Sequence, residues 1–194
     1  MNERDEHSLI QESRKGSIEA FGALVNKFSY IVYRFAYRLM NNVADAEDLS
    51  QEVFLHAFRG IKKFEERSSF STWLYRITVN LWKNKLKNES QEGVTFSLTD
   101  LEEPGEEKNI ELPDTSASLE EIVDKNVKIE IIKNCLETIH PLYKAIIVLR
   151  DVEGKTYNEI AEIMDCPLGT VQSRLSRARN ELRIKVLKMF GEKK

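Results

Sequence analysis

The stretch TYNEIAEIMDCPLGTVQSRLSRARNELR, residues 156–183, decides the fold of this chain. Thr156 precedes an apolar helical pattern and Glu159 stands three residues later, which is the pattern of a capping box at a helix start. Pro167 suits the first turn of a following helix, where its missing N–H costs little. The stretch therefore predicts two helices separated by a tight turn.

The second of these helices has one apolar side and one polar, basic side. Helical spacing places four apolar residues inward: Val171, Leu175, Ala178 and Leu182. The outward set is Gln172, Ser173, Arg174, Ser176, Arg177 and Arg179. Glutamine pairs bidentately with adenine and arginine with guanine, so this side suits a DNA major groove. We predict a helix-turn-helix; the alternative is a solvated basic helix in an ordinary three-helix unit.

Composition predicts a soluble all-α protein. The chain has 194 residues, of which 41% are hydrophobic and 31% charged, with only 8 glycines and 4 prolines. Strand-like alternation is hard to find. We expect no membrane span and no signal peptide. Cys135 and Cys166 lack metal-ligand spacing, which favours free thiols in a reducing cytoplasm.

Charge divides the chain into three blocks. Residues 1–88 carry a net charge of +3, residues 89–121 carry −10, and residues 122–194 carry +4. The middle block also contains proline, glycine and serine and lacks an apolar helical period, as expected for a linker. We therefore predict two small helical domains joined by a flexible acidic linker, with the domain boundaries at these block limits.

The first block contains a helix with an acidic side. A long helix starts at Ser17, Asn41-Asn42 breaks it, and Asp45 is the expected cap of the next helix. Its inward positions are Ala46, Leu49, Val53, Ala57 and Ile61, and its opposite side gathers Asp45, Asp48, Gln51, Glu52 and Leu55. This acidic side either docks a basic partner helix or is simply solvated.

A basic, aromatic segment follows over residues 68–88. Its predicted buried side is Phe70, Trp73, Leu74, Ile77 and Leu81, and another side carries Arg76, Asn80, Lys83 and Lys87. Interleaved cations and aromatic rings suit single-stranded nucleic acid, because cations follow phosphates and rings stack on unpaired bases. The alternative is that Trp73 and Trp82 belong only to the core.

Four pieces in this order resemble the bacterial sigma factors. They are ADAEDLSQEVFLHAF, FSTWLYRITVNLWKN, the acidic linker, and YNEIAEIMDCPLGTVQSRLSRAR. The absence of extra domains makes the chain similar to the small extracytoplasmic-function (ECF) branch and its sigma-E group. The resemblance implies a sigma-2 domain at residues 1–88 and a sigma-4 domain, with the helix-turn-helix, at residues 122–194.

The resemblance implies two roles for the sigma-2 domain. It implies that Asp48, Gln51, Glu52 and Leu55 bind the clamp helices of the largest polymerase subunit. It also implies that the domain opens the minus-ten promoter element and holds a flipped base. The residues implied for this role are those of the pocket and its basic surroundings: Gly60, Phe64, Ile77, Asn80, Arg76 and Lys83. The loop of residues 65–71 is the lid of this pocket. Hydrogen bonds and packing there would offset the cost of unstacking a base.

For the sigma-4 domain, the resemblance implies recognition of the minus-thirty-five element as a duplex. The matching base readers are Gln172, Ser173, Ser176 and Arg177. Four further residues are better placed for phosphate or framework roles: Arg150, Thr170, Arg174 and Arg179. Close relatives often carry a basic residue at the position of Gln172 and an aromatic one at Ser176. Because of these two differences, the resemblance does not determine which promoter sequence this chain recognises.

The function implied by the resemblance is that of a dissociable specificity subunit of RNA polymerase, which is not an enzyme and needs no cofactor. It would bind core polymerase and promoter DNA, double-stranded and locally single-stranded, in a stress response controlled by an anti-sigma factor. We expect a cytoplasmic protein without direct membrane insertion; an anti-sigma factor holding it at the inner membrane face is the alternative. Rival functions are a stand-alone helix-turn-helix repressor or activator and an all-helical adaptor.

Overall fold

The computed structural model describes residues 3–90 and 120–191, and within these ranges the regular structure is helical throughout. The all-α prediction is confirmed. Eight α-helices follow one another in the described residues: α1 (Glu3–Arg14), α2 (Ile18–Met40), α3 (Val43–Gly60), α4 (Phe70–Ser90), α5 (Glu120–Thr138), α6 (Pro141–Ile147), α7 (Tyr157–Met164) and α8 (Leu168–Gly191). Most of the acidic linker predicted at residues 89–121 lies outside the described residues.

Local side chains and backbone set the ends of α2 and α3. The Ser17 hydroxyl accepts a hydrogen bond from the Ala20 N–H at 3.1 Å, so the predicted start of α2 is confirmed. Asn41 ends this helix in the left-handed conformation, at φ 52°. The prediction that Asp45 caps α3 was wrong: Asn42 is the cap, and its side chain accepts from the Asp45 N–H at 3.2 Å. Asn42 has the extended backbone that a cap requires, whereas Asp45 is already helical.

The N-terminal helix α1 was not predicted from the sequence. Its sequence is largely polar. Among the side chains of α1 that the structure describes, Ile10 is the one large apolar side chain that is buried, at 4% exposure. This helix packs on α2. A single apolar anchor gives too weak a periodic signal to identify a helix from sequence.

One continuous hydrophobic core joins the two halves of the chain. It contains Phe35 and Leu74 from the first half and Leu149, Ile160 and Leu175 from the second, all at 2% exposure or less. Helix α4 of the first half packs directly against α7 of the second. The two domains are therefore closed on each other in this structure.

The segment between α6 and α7 makes the most irregular turn of the second half. Helix α6 runs into a π-helical turn, Val148–Val152, which ends at Glu153. Gly154 then reverses the chain at φ +67°, a backbone conformation that residues with a Cβ rarely adopt. Single π-turns of this kind are frequent at functional sites. Here the turn directs the Glu153 side chain toward the first domain.

Candidate nucleic-acid interface

The helix-turn-helix begins with the predicted capping box. The Thr156 hydroxyl accepts from the Glu159 N–H at 3.2 Å, and the Glu159 carboxylate accepts from the Thr156 N–H at 2.9 Å. Partial burial acts to raise the pKa of Glu159. Hydrogen bonds from Thr156 and Lys155 outweigh burial, so that the pKa lies below its ordinary value. The charged carboxylate therefore stabilises the start of α7.

We expect Glu159→Gln to lower thermal stability at neutral pH, because glutamine keeps the cap geometry but loses the charge. The folded-state pKa of Glu159 is depressed, so its stabilisation is complete above the unfolded pKa and is lost as pH falls through the folded value. The difference in melting temperature between the two proteins should therefore shrink as pH falls below about 4. A gap that stays constant from pH 7 to pH 3 would contradict a role of the charge.

Helix α8, the second helix of the helix-turn-helix, has the predicted division into an inward and an outward side. Asp165 ends α7 in the left-handed conformation, at φ 54°, and α8 starts at Leu168. Gln172 and Ser176 are exposed, whereas Ser173 and Arg177 are half-buried. The inward residues Val171, Leu175 and Ala178 are buried and Leu182 is half-buried, as predicted. The four proposed base readers thus share one outward side of α8.

Two arginines that the sequence assigned to phosphate or framework roles make contacts within the second domain. Arg150 donates to the Lys155 carbonyl at 2.9 Å and lies over the Tyr157 ring, 4.8 Å from its centroid. Arg179 forms an ion pair with Asp151, whose hydrogen bond raises the pKa of this guanidinium. Both therefore support the π-turn and α7 in this structure. Thr170 accepts from the Ser173 hydroxyl through its carbonyl, and Arg174 is half-buried.

The predicted minus-ten residues divide between the core and the surface. Phe64 is only 4% exposed, and its ring stacks on Trp73 at 4.8 Å between centroids. A Cβ added at Gly60 would lie 3.3 Å from the Trp73 ring, so glycine permits this close packing. Ile77 is half-buried and Asn80 is exposed. Of these four residues, Asn80 presents a polar side chain at the surface, whereas Phe64 belongs to the core.

The loop between Phe64 and α4 is held by the N-terminal helix. Glu66 has a positive φ of 55°, and its carboxylate contacts three side chains of α1. The distances are 2.8 Å to His7 Nδ1, 2.5 Å to Gln11 Nε2 and 3.5 Å to Arg14. Helix α1, which the sequence did not reveal, therefore positions the predicted lid of the pocket.

The two basic minus-ten candidates contact the second domain. Arg76 lies 3.6 Å from the Asp165 carboxylate, and Lys83 donates to the Met164 carbonyl at 3.2 Å. Burial lowers the pKa of the Lys83 ammonium. Both contacts lie at the carboxyl end of α7, where a helix favours positive charge. In this closed arrangement α7 therefore covers part of the basic side of α4.

The predicted polymerase-binding residues form one exposed side of α3. Asp48, Gln51 and Glu52 are all exposed, and Leu55 is 54% exposed. Glu52 lies 3.8 Å from the Lys85 ammonium of α4. The side is therefore acidic with one large apolar group accessible to a partner.

A cluster of charged and polar side chains that was not predicted lies at the domain interface. The Glu153 carboxylate of the second domain accepts hydrogen bonds from Arg34, Arg38 and Tyr75 of the first. The Glu153 side chain is only 3% exposed. The spacing of Arg34 and Arg38, four residues apart on one helix, was the available signal, but nothing in the sequence pairs them with Glu153.

The described residues 3–90 and 120–191 contain no group of three or more His, Cys, Asp or Glu side chains arranged to hold a metal ion. Cys135 is buried and Cys166 is half-buried, and both are free thiols in this structure. Within the same residues, no helix has both the length and the hydropathy needed to cross a membrane.

Comparison with known proteins matches both halves of the chain. Residues 24–92 match the family model of Sigma-70 region 2, and residues 129–182 match that of Sigma-70, region 4. The ECF RNA polymerase sigma-E factor of Haemophilus influenzae is 34% identical over 184 residues, covering 93% of this chain and 95% of that protein. The sigma-E factor of Escherichia coli K12 is 33% identical over 178 residues, with 92% of both proteins covered.

The chain is also similar to a solved sigma factor structure. The sigma factor RpoE in complex with the anti-sigma factor NepR from Bartonella quintana is 26% identical, with a TM-score of 0.62. The match covers 88% of this chain and 98% of that one. The two domains, their order along the chain and the similarity over nearly its whole length lead to one conclusion: this chain belongs to the ECF sigma factor family.

Proposed function

We propose that this ECF sigma factor binds core RNA polymerase, directs it to specific promoters and helps open the minus-ten element. The observation that carries the proposal is the pairing of two nucleic-acid surfaces in one chain. The outward side of α8 presents Gln172 and Ser176, and α4 presents Asn80 at its surface. A duplex reader and a strand-opening surface together are what a promoter-opening factor needs, since a repressor requires only the first.

The proposed division of labour follows the three charge blocks. Residues 1–88 form the sigma-2 domain, which binds polymerase and the minus-ten element. Residues 122–194 form the sigma-4 domain, whose residues Gln172, Ser173, Ser176 and Arg177 read the minus-thirty-five duplex. The acidic linker of residues 89–121 joins them and presents negative charge, as nucleic acid does, to the polymerase cleft. In this scheme the chain is a specificity subunit rather than an enzyme.

We further propose that an anti-sigma factor controls this protein in the cytoplasm, at the inner face of the membrane if that partner is membrane-bound. The support is that the Bartonella quintana relative was solved with an anti-sigma factor. A stress response is the corresponding physiological setting.

The acidic side of α3 is the proposed contact with the clamp helices of polymerase. We expect Leu55→Ala to weaken binding of core polymerase by about 1–2 kcal/mol, since burying a leucine contributes roughly that much more than burying an alanine. Val43→Ala is the matched control, because Val43 lies on the same helix and is also 54% exposed. Affinities from surface plasmon resonance would test this, and equal losses in both variants would contradict the assigned side.

The proposed function is tested by adding the purified protein to core polymerase and mapping transcript starts across a genome. We expect new starts that share two upstream elements. Salt-dependent binding to duplex DNA without new starts would instead support a repressor or activator. No DNA binding and no new starts would support a protein-binding adaptor.

A further inference from the structure

The Glu153 carboxylate occupies a cluster of donors that belongs entirely to the first domain. Arg34 donates to one of its oxygens at 3.2 Å, Tyr75 donates to the same oxygen at 2.7 Å, and Arg38 donates to the other. Two guanidinium groups and a phenol thus converge on one anion. Such clusters recognise carboxylate and phosphate groups alike.

The cluster offers more donors than its present occupant uses. The Nε of Arg34 is buried, and none of the described groups accepts a hydrogen bond from it. Burial lowers the pKa of Arg38, and the nearby positive charge of Arg34 lowers it further. When the domains separate, two close positive charges lose their counter-ion, so a replacement anion would stabilise them. A phosphate presents more acceptor oxygens than a carboxylate and suits the unused donor.

The surroundings of the cluster favour a nucleic-acid strand over a small anion. Tyr30 is 67% exposed and Tyr37 is 40% exposed on the same helix as both arginines. The Arg34 guanidinium lies over the Tyr30 ring, 5.5 Å from its centroid. Exposed aromatic rings beside cations are the usual platform for single-stranded DNA. Tyr75 comes from α4, the helix that also carries Asn80, so the cluster joins α2 to the helix of the proposed minus-ten surface.

We propose that Arg34, Arg38 and Tyr75 form a binding site for a backbone phosphate of single-stranded DNA, and that Glu153 occupies this site while the domains are closed. The proposal rests on the proposed function, because it extends the minus-ten surface from α4 onto α2. Glu153 and the DNA strand compete for the same donors. Closure of the domains and binding of the strand at this site therefore exclude each other.

Glu153→Gln in the full-length protein tests the competition, because glutamine keeps the size of the side chain and removes its charge. The probe is a fluorescein-labelled single-stranded oligo(dT) 15-mer, followed by anisotropy at several salt concentrations. We expect Glu153→Gln to bind it about five- to tenfold more tightly than the native chain at 50 mM salt, the scale set by one phosphate contact. Equal affinity of the two proteins would overturn the proposal.

A second set of variants separates the phosphate site from simple opening of the domains. Adding Arg34→Gln and Arg38→Gln to Glu153→Gln should abolish the gain in affinity and reduce the log–log salt slope by about 0.7. Adding Lys15→Gln and Lys133→Gln instead makes the same change in net charge at exposed positions and should retain the gain. If the arginine variant retains it too, opening alone explains the effect and the site is wrong.

Two further arms keep the test decisive. Circular dichroism shows whether the triple variant folds. If it does not, Arg38→Gln alone is added to Glu153→Gln, and we expect this double variant to bind the oligonucleotide more weakly than Glu153→Gln. No reduction in affinity would overturn the proposal. Sodium phosphate that displaces the oligonucleotide far better than chloride of equal ionic strength would assign the cluster to a free anion instead of DNA. Transcript mapping with the native chain reports separately on the proposed function, because oligo(dT) binding does not depend on promoter sequence.

Discussion

Replacing Asn80 with alanine is expected to reduce promoter-dependent transcription roughly 5- to 150-fold, with binding of core polymerase unchanged. Asn80 is exposed on α4 and can both donate and accept hydrogen bonds to an extracted base. Loss of one partner in a base pocket costs about 1–3 kcal/mol, and about 1.4 kcal/mol corresponds to a tenfold change. Run-off transcription and permanganate footprinting of the opened strand would measure the two steps.

Asn84→Ala is the matched control for this experiment. Asn84 is exposed on the same helix, one turn further on, and is not among the predicted minus-ten residues. We expect it to leave both transcription and strand opening near the native level. If Asn80→Ala reduced polymerase binding and strand opening in parallel, or if Asn84→Ala matched its effect, Asn80 would not be the base-reading group.

The largest loss of stability is expected for Phe35→Ala. Phe35 is fully buried in α2, and its ring meets Tyr75 edge-on at 4.7 Å between centroids. Truncating a buried phenylalanine costs about 3–5 kcal/mol, because transfer and cavity terms add. At about 2–4 °C per kcal/mol for a chain of this size, the melting temperature should fall by roughly 6–20 °C. Calorimetry would measure the change.

Tyr30→Ala provides the comparison on the same helix, since Tyr30 is 67% exposed and its removal opens no cavity. Its melting temperature should remain close to the native one. Because the core is continuous between the domains, Phe35→Ala should also shift the unfolding of the second domain. An unchanged second-domain transition would show that the two domains unfold independently.

Much of the local structure follows from short-range patterns in the sequence. The capping box of Thr156 and Glu159 and the buried positions Val171, Leu175 and Ala178 are as predicted. These features depend on neighbours within one or two turns of helix, so spacing alone predicts them. The cap of α3 shows the limit of such patterns: Asn42 and Asp45 are both good capping residues, and only the backbone conformation selects Asn42.

The candidate site was predicted less completely, because several of its features depend on contacts far apart in the chain. The side chains proposed for base reading on α8 do share one outward side, and Asn80 does lie at the surface of α4. The burial of Phe64 against Trp73 depends on how the loop folds back on α4. The support of Glu66 by α1 joins residues more than fifty positions apart, and helical periodicity carries no information on such pairs.

By itself, the sequence of this protein determined its helical class, its helix-turn-helix and its two-domain order, because these depend on local periodicity and on charge along the chain. Only the tertiary structure decided that the domains close on each other, that the end of α7 contacts Arg76 and Lys83, and that Glu153 meets Arg34 and Arg38. The physical reason is that a buried ion pair forms only where the fold brings opposite charges together and excludes water. The spacing of the charges along the chain does not predict which of them pair in the fold.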